Sequence, residues 1–275
     1  ASAVEFTPLT AQTRLAALAA GEVDVLIRNT THTLTRDTDN GLDFIVTTFY
    51  DGQTIMVHVE SGMVEWADLD GAVICTTSGT TTELNITDAF IARGIDYTLL
   101  AFESTADTHA GFTEGRCDVE TSDRSQLVAL RASTDNPSEY VVWTELISKE
   151  PLGPVVRHGD NQWKDVVNWV VYGMIQAEEF GIDSMNIGES LRMDGESDED
   201  YNVRVGPAIA RFVDADLGIG SKLGLANDFV VQVITQVGNY AEVFEAHLGA
   251  GGLGMERANN ANWTDGGIIF SPAWR

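Results

Sequence analysis

The chain has 275 residues, 44% hydrophobic and 21% charged, which is enough for one large domain or two lobes with a sizeable core. Its 42 acidic residues against 16 basic ones give a net charge of −26, so it lacks the basic footprint that nucleic acid or an anionic membrane surface requires. No apolar run approaches the roughly 18 residues of a membrane span, and the two cysteines, Cys75 and Cys117, allow one bridge or a pair of buried thiols.

In chain order, Ala3 to Phe6 reads as a short strand, and Thr10 as the N-cap of a helix through Arg14, Leu15, Leu18 and Ala19 that Gly21 ends. Val23 to Ile27, apolar and partly β-branched, reads as a buried strand. Strand, helix and strand together predict the crossover of a parallel sheet. The second strand stops in Asn29, Thr30, Thr31 and Thr33, followed by Arg36. Hydroxyls and backbone groups off a strand's carboxyl end suit a small polar ligand, and a guanidinium fork suits a carboxylate. The same residues also read as a capped loop with a surface arginine.

Gly41 to Phe44 and Tyr50 to Gln53 read as turns, with strand character in Ile45–Phe49 and Thr54–Val59. A second cycle follows. Ala72 to Cys75 is a strand ending in Thr76-Thr77-Ser78-Gly79-Thr80-Thr81-Thr82, and a helix from about Glu83 to Arg93 is closed by Gly94. Tyr97 to Phe102 is a strand, Phe112 to Gly115 ends a helix, and Cys117 to Thr121 is a strand running into Ser122-Asp123-Arg124. Beyond Pro151 the pattern turns helical. Trp163, Val166, Val167, Val170, Val171, Met174 and Ile175 recur at helical spacing, and Phe229 to His247 is patterned likewise, with Phe229, Val230, Val233, Tyr240 and Phe244 as candidate core. The histidines show no zinc spacing, the acidic runs lack calcium-loop spacing, and Gly249 to Gly254 is not followed by the Lys-Ser/Thr of a phosphate loop.

Specific stretches go further. Gly21-Glu22-Val23-Asp24-Val25-Leu26, Arg28-Asn29-Thr30-Thr31, Arg36-Asp37, Ser78-Gly79-Thr80-Thr81-Thr82-Glu83, Gly115-Arg116-Cys117-Asp118, Ile147-Ser148-Lys149-Glu150-Pro151-Leu152-Gly153-Pro154 and Gln236-Val237-Gly238-Asn239-Tyr240 resemble the general L-amino-acid-binding proteins of bacterial ABC importers. The likeness covers most of the chain, in order, and is weakest over Gly188 to Lys222. It implies an α/β, type II periplasmic-binding-protein fold. Residues 1–51 would begin lobe 1, 52–150 would form lobe 2, and 151–275 would return to lobe 1 and add a helical extension. Tyr50–Met56 and Ser148–Pro154 would be the two hinge segments.

The resemblance also implies roles. Arg36 matches the arginine that clamps the ligand's α-carboxylate, with Thr80 and Thr81 adding backbone or hydroxyl donors. Asp123 matches the carboxylate that takes the α-ammonium, helped by the Asn29 carbonyl and the Thr31 hydroxyl. Arg14 matches a cleft arginine that reads the ligand's side chain. At residue level the alternatives are a helix N-cap for Asp123 and a solvated helix residue for Arg14. An oxidising periplasm implies a Cys75–Cys117 disulfide. The partners are then an L-amino acid and the importer's membrane subunits, with no cofactor, no metal, no catalytic residue and no nucleic acid. Members of the family carry a strand–helix unit before the point where this chain starts, so an incomplete first lobe and a separate N-terminal piece are also expected. The rival readings are a small dehydratase on the same fold, with Glu83 or Glu120 as general acid, and a ligand-sensing domain of a signalling system.

Overall fold

A computed structural model describes residues 3–275, in two units that divide between His158 and Gly159. The first unit opens with α1 (Arg14–Ala20), α2 (Leu34–Asp39), β1 (Leu42–Phe44) and β2 (Phe49–Asp51). There follow β3 (Gln53–His58), β4 (Ala72–Thr77), α3 (Thr81–Arg93), β5 (Tyr97–Phe102), α4 (Thr105–Thr113), β6 (Val119–Asp123), α5 (Arg124–Ser133) and β7 (Tyr140–Val142). Two short strands, β8 (Glu150–Leu152) and β9 (Val155–Arg157), complete it.

The main sheet has the order β5-β4-β6-β3-β7. β4 runs parallel to β5 and β6, and β3 is antiparallel to β6 and β7. Successive strand residues face opposite sides of the pleat. Ile55, Val57 and Ile74 therefore pack with Ile86 and Phe90 in one core, while Met56 and Cys75 pack with Phe112 and Leu127 in the other. Cys75 and Cys117 form the expected disulfide in that second core, with Cα atoms 5.6 Å apart. Because β4 and β6 are adjacent and parallel, their carboxyl ends deliver Thr77–Thr82 and Ser122–Gln126 to the same edge of the sheet.

The remaining strands pair in two short antiparallel ladders, β2 with β8 and β1 with β9. Pro151 and Pro154 have no N–H to offer, which keeps these ladders short. Glycines let the backbones approach there. A Cβ on Gly52 would lie 2.8 Å from the Ser148 carbonyl oxygen, and one on Gly153 would lie 2.6 Å from that of Val46.

Several expectations change. Leu42–Phe44 and Phe49–Asp51 are strands rather than turns, since Leu42 and Phe44 find a buried partner ladder that Gly41 obscured in the sequence. Ile45–Thr48 is irregular. Ala3–Phe6 is not a strand, and Phe6 is 88% exposed. Val23–Ile27 is not a buried strand of a parallel sheet: only Leu26 pairs, antiparallel, with Val155, and Ile27 is 71% exposed. An apolar run becomes a strand only where a second backbone supplies a ladder, and here one residue finds it. The α3 helix begins two residues before the expected start, at Thr81, with Thr80 as its cap.

The second unit is helical: α6 (Asn161–Glu179), α7 (Asp198–Val205), α8 (Pro207–Val213), α9 (Ile219–Lys222), α10 (Phe229–Val237) and α11 (Tyr240–His247). Its core gathers Phe212, Phe229, Val230 and Ile234 around Trp274. The expected helix over 229–247 breaks at Gly238, whose φ of +93° is left-handed. Asn239 restarts it with a capping box to Glu242. Phe229, Val230 and Phe244 are buried as expected.

Candidate functional site

The carboxyl ends of β4 and β6 face the segment that leads from α1 to α2, and a cavity lies between them. Its wall includes Arg14, Asn29, Thr31, Thr80, Thr81 and Asp123, six of the seven residues expected to bind ligand. Among the other lining residues are Arg28, Thr105 and Gln126. The space at its heart admits little more than a water molecule. Side chains close it from both sides. Gln12 bonds Ser78, Arg28 Nη2 lies 3.4 Å from Thr105 Oγ1, and Asn29 Nδ2 donates to Asp123 Oδ2 at 2.8 Å and Gln126 Oε1 at 2.7 Å.

Asp123 holds the N-cap position of α5 but makes no cap hydrogen bond. Its side chain turns to the cavity instead, is 3% exposed, and leaves Oδ1 without a partner among the described residues. Burial, then the nearby Asp51 charge, push its pKa up to about 7. Asp51 is itself raised by burial, although its oxygens accept from the Gly52 and Ser125 N–H groups.

Arg14 is equally buried at 3%, on the inward face of α1 rather than in solvent. Nη1 donates to the Asn29 carbonyl at 3.2 Å, while Nε has no partner among the described residues. Burial and the charges of Arg36 and Arg28 hold its pKa down to about 9, so it remains a cation at neutral pH. Arg36, on α2, donates through Nη1 to the Thr31 carbonyl at 3.0 Å and does not line the cavity; burial lowers its pKa, against the nearby charges of Glu150 and Asp123.

The threonines are more constrained than the sequence suggested. Thr80 Oγ1 accepts from the Glu83 N–H at 3.2 Å and gives its proton to the Thr77 carbonyl at 2.6 Å. Its hydroxyl is therefore a helix cap. What this wall can still donate comes from the backbone N–H groups of the first turn of α3, which no helix bond satisfies. Gln53, fully buried, fixes that turn by donating to the Thr82 carbonyl at 2.8 Å and Thr121 Oγ1 at 2.9 Å. Glu83 and Glu120 lie outside the cavity wall: Glu83 accepts from the Gly79 N–H, and Glu120 pairs with His109 at 2.7 Å.

Sequence reasoning passed over Arg28, Gln126 and Glu150. Gln126 was detectable, since it follows Asp123 by three residues and so shares its helix face. Glu150 carried no such signal. It sits in β8, 2% exposed, and receives four side-chain hydrogen bonds from Thr31, Thr81, Asn85 and Ser148.

Known proteins resemble this chain over nearly all of its length. Residues 2–181 match the profile of the bacterial extracellular solute-binding proteins, family 3. The glutamate/glutamine/aspartate/asparagine-binding protein BztA of Rhodobacter capsulatus is 45% identical, over 99% of this chain and 78% of its own length. The general L-amino acid-binding periplasmic protein AapJ of Rhizobium johnstonii is also 45% identical, over 99% of this chain and 77% of its own. Among solved structures, an ABC transporter periplasmic binding protein from Brucella ovis with glutathione bound superposes with a TM-score of 0.91. It is 43% identical, over 99% of this chain and 83% of that one.

Proposed function

The chain belongs to the bacterial extracellular solute-binding proteins, family 3, which have the type II periplasmic-binding-protein fold, and we infer that it captures L-amino acids in the periplasm for an ABC importer. The observation that carries this reading is the pair of unpartnered buried atoms on one cavity wall, Asp123 Oδ1 and Arg14 Nε. Buried charge needs a counter-charge. A carboxylate and a guanidinium that border the same small space, each keeping one buried atom without a partner among the described residues, suit a ligand that carries charges of both signs.

In this reading Asp123 takes the α-ammonium, assisted by the oxygens of Thr31 and Asn29. The first turn of α3 at Thr80 and Thr81, with Arg36 beside Thr31, takes the α-carboxylate. Arg14 and Arg28 exceed Asp123 in charge on the wall, which favours acidic or amide side chains. The described residues up to 51 begin lobe 1, 52–150 form lobe 2, and β9 brings the chain back to β1 of lobe 1. The paired β2 and β8 segments act as the hinge. Ligand contacts from both lobes exist together only in the closed form, so binding shifts the population toward it. The importer's membrane subunits then meet that closed shape.

Calorimetric titration of the protein with a panel of L-amino acids and glutathione tests the reading. Micromolar or tighter binding of at least one amino acid is expected, and it should be lost in Asp123→Ala. Titrations that show no heat and no thermal shift with any member of the panel would overturn the reading.

A further inference from the structure

We propose that Glu150 is a positioning residue that dictates the direction of hydrogen bonding on the ammonium wall of the cleft. The proposal rests on the amino-acid reading above and deepens it.

The geometry divides the carboxylate into two halves. Oε1 accepts from Asn85 Nδ2 at 2.8 Å and Ser148 Oγ at 2.5 Å, and neither of those residues lines the cavity. Oε2 accepts from Thr31 Oγ1 at 2.5 Å and Thr81 Oγ1 at 3.1 Å, and both of those residues do. One oxygen anchors the side chain; the other holds two hydroxyls of the wall.

An ionised carboxylate only accepts, and a threonine hydroxyl has a single proton. With both protons directed at Glu150, the Thr31 and Thr81 oxygens can offer the cavity only lone pairs. These oxygens lie 3.3 Å apart, two acceptors side by side. A ligand N–H group between or beside them is satisfied, whereas a ligand oxygen meets lone pairs and gains nothing for its lost hydration. Glu150 therefore turns acceptors away from these two hydroxyls without touching the ligand, while the backbone N–H groups of the first turn of α3 remain for the carboxylate, and the ammonium is selected by hydroxyls as well as by Asp123.

Glu150→Gln inverts this arrangement at constant volume. The amide oxygen must stay on the Oε1 side, because Asn85 Nδ2 can only donate. The new Nε2 then donates toward Thr31 and Thr81, whose protons are free to turn into the cleft.

The test measures dissociation constants of the full chain for L-glutamate and L-glutamine against 2-oxoglutarate and 2-oxoglutaramate, which replace the α-ammonium by a carbonyl oxygen. The expected result is a fall of at least about tenfold in the amino-acid preference of Glu150→Gln, the effect of reversing one charge-assisted hydrogen bond. Asn85→Ala removes an anchor bond only and should leave the preference ratio unchanged. A loss of charge acting through space would persist without the hydroxyls, so Glu150→Gln is repeated in a Thr31→Val/Thr81→Val background, where its effect on the ratio should vanish. An unchanged ratio in Glu150→Gln, or an equal effect in that background, overturns the inference while leaving the amino-acid reading intact. Wild-type protein that binds none of the amino acids overturns both. Should Glu150→Gln fail to fold, the Thr31→Val/Thr81→Val variant alone must lower the ratio, and an unaltered ratio refutes the proposal.

Discussion

Asn29 Nδ2 lies 2.8 Å from Asp123 Oδ2, so a neutral amide of the chain itself holds the carboxylate assigned to the ligand's ammonium. The same nitrogen also donates to Gln126 Oε1 at 2.7 Å. An ammonium at the open Oδ1 therefore shares the carboxylate with an amide already bonded to Oδ2, and the two compete for its charge.

Removing that amide should strengthen binding. For Asn29→Ala we expect amino-acid affinity to rise about threefold to tenfold, the scale of one or two net hydrogen bonds, and the melting temperature without ligand to fall. Calorimetry and thermal unfolding with and without L-glutamate measure the two changes. Weaker binding in Asn29→Ala would show that the amide serves the ligand rather than competing with it.

Asp123, with its pKa near 7 against an ordinary value near 3.8, makes binding pH-dependent. Its folded-state pKa is raised, so the folded protein holds the proton more tightly than the unfolded chain. Through this group stability is greatest below about pH 4, declines as pH rises toward 7, and is flat above. An ammonium needs the ionised carboxylate, so affinity should climb up to about tenfold per pH unit between pH 5 and 7 and then level off. Calorimetry in buffers of different ionisation enthalpy should detect proton release at pH 6 and none at pH 8.5. Asp123→Asn should abolish the pH dependence, cost binding about 100-fold or more, and leave the protein without ligand at least as stable at pH 8. A proton release at pH 6 equal to wild type in Asp123→Asn would assign the titration elsewhere.

Arg14 and Arg36 should separate by ligand. Arg36→Ala is expected to weaken every amino acid alike, by about 100-fold, if its fork meets the common carboxylate. Arg14→Ala should weaken L-glutamate and L-aspartate about tenfold more than L-glutamine and L-asparagine. Dissociation constants for the four ligands in both variants decide the matter, and uniform loss in Arg14→Ala would exchange the two assignments.

The disulfide is a third handle. It closes 42 residues of chain between Cys75 and Cys117, which in the loop-entropy picture stabilises the first unit by about 4 kcal/mol. Cys75→Ala/Cys117→Ala should lower its melting temperature by roughly 10 °C while amino-acid binding at 20 °C persists, since neither cysteine lines the cavity. Thermal unfolding followed by circular dichroism measures the shift, and an unaltered melting temperature would remove the bridge from the account of stability.

The main sheet and the ligand wall were readable because β4 and β6 each end in a run of small polar residues directly before a helix, a local pattern with a local cause. Asp123 shows how far that legibility goes. Its N-cap position follows from sequence, yet its carboxylate abandons the cap for Asn29, a choice made by tertiary packing. The strands at Leu42–Phe44 and Phe49–Asp51 were hidden because their partners lie more than 90 residues away, at 150–157, and no local pattern reports a distant ladder. Glu150 was hidden for the same reason: its four donors come from positions 31, 81, 85 and 148.

Arg14, Arg28 and Arg36 are three of only 16 basic residues in a chain carrying a net charge of −26, and Arg14 feels the charges of the other two inside the protein. An acidic ligand approaching from solution first meets an anionic body and only within the last few ångströms a cationic pocket. Salt shortens the reach of exposed charges to about 8 Å at physiological strength but screens buried groups far less. Association with L-glutamate should therefore quicken as ionic strength rises, the reverse of ordinary electrostatic steering, while the rate of escape from the pocket hardly changes.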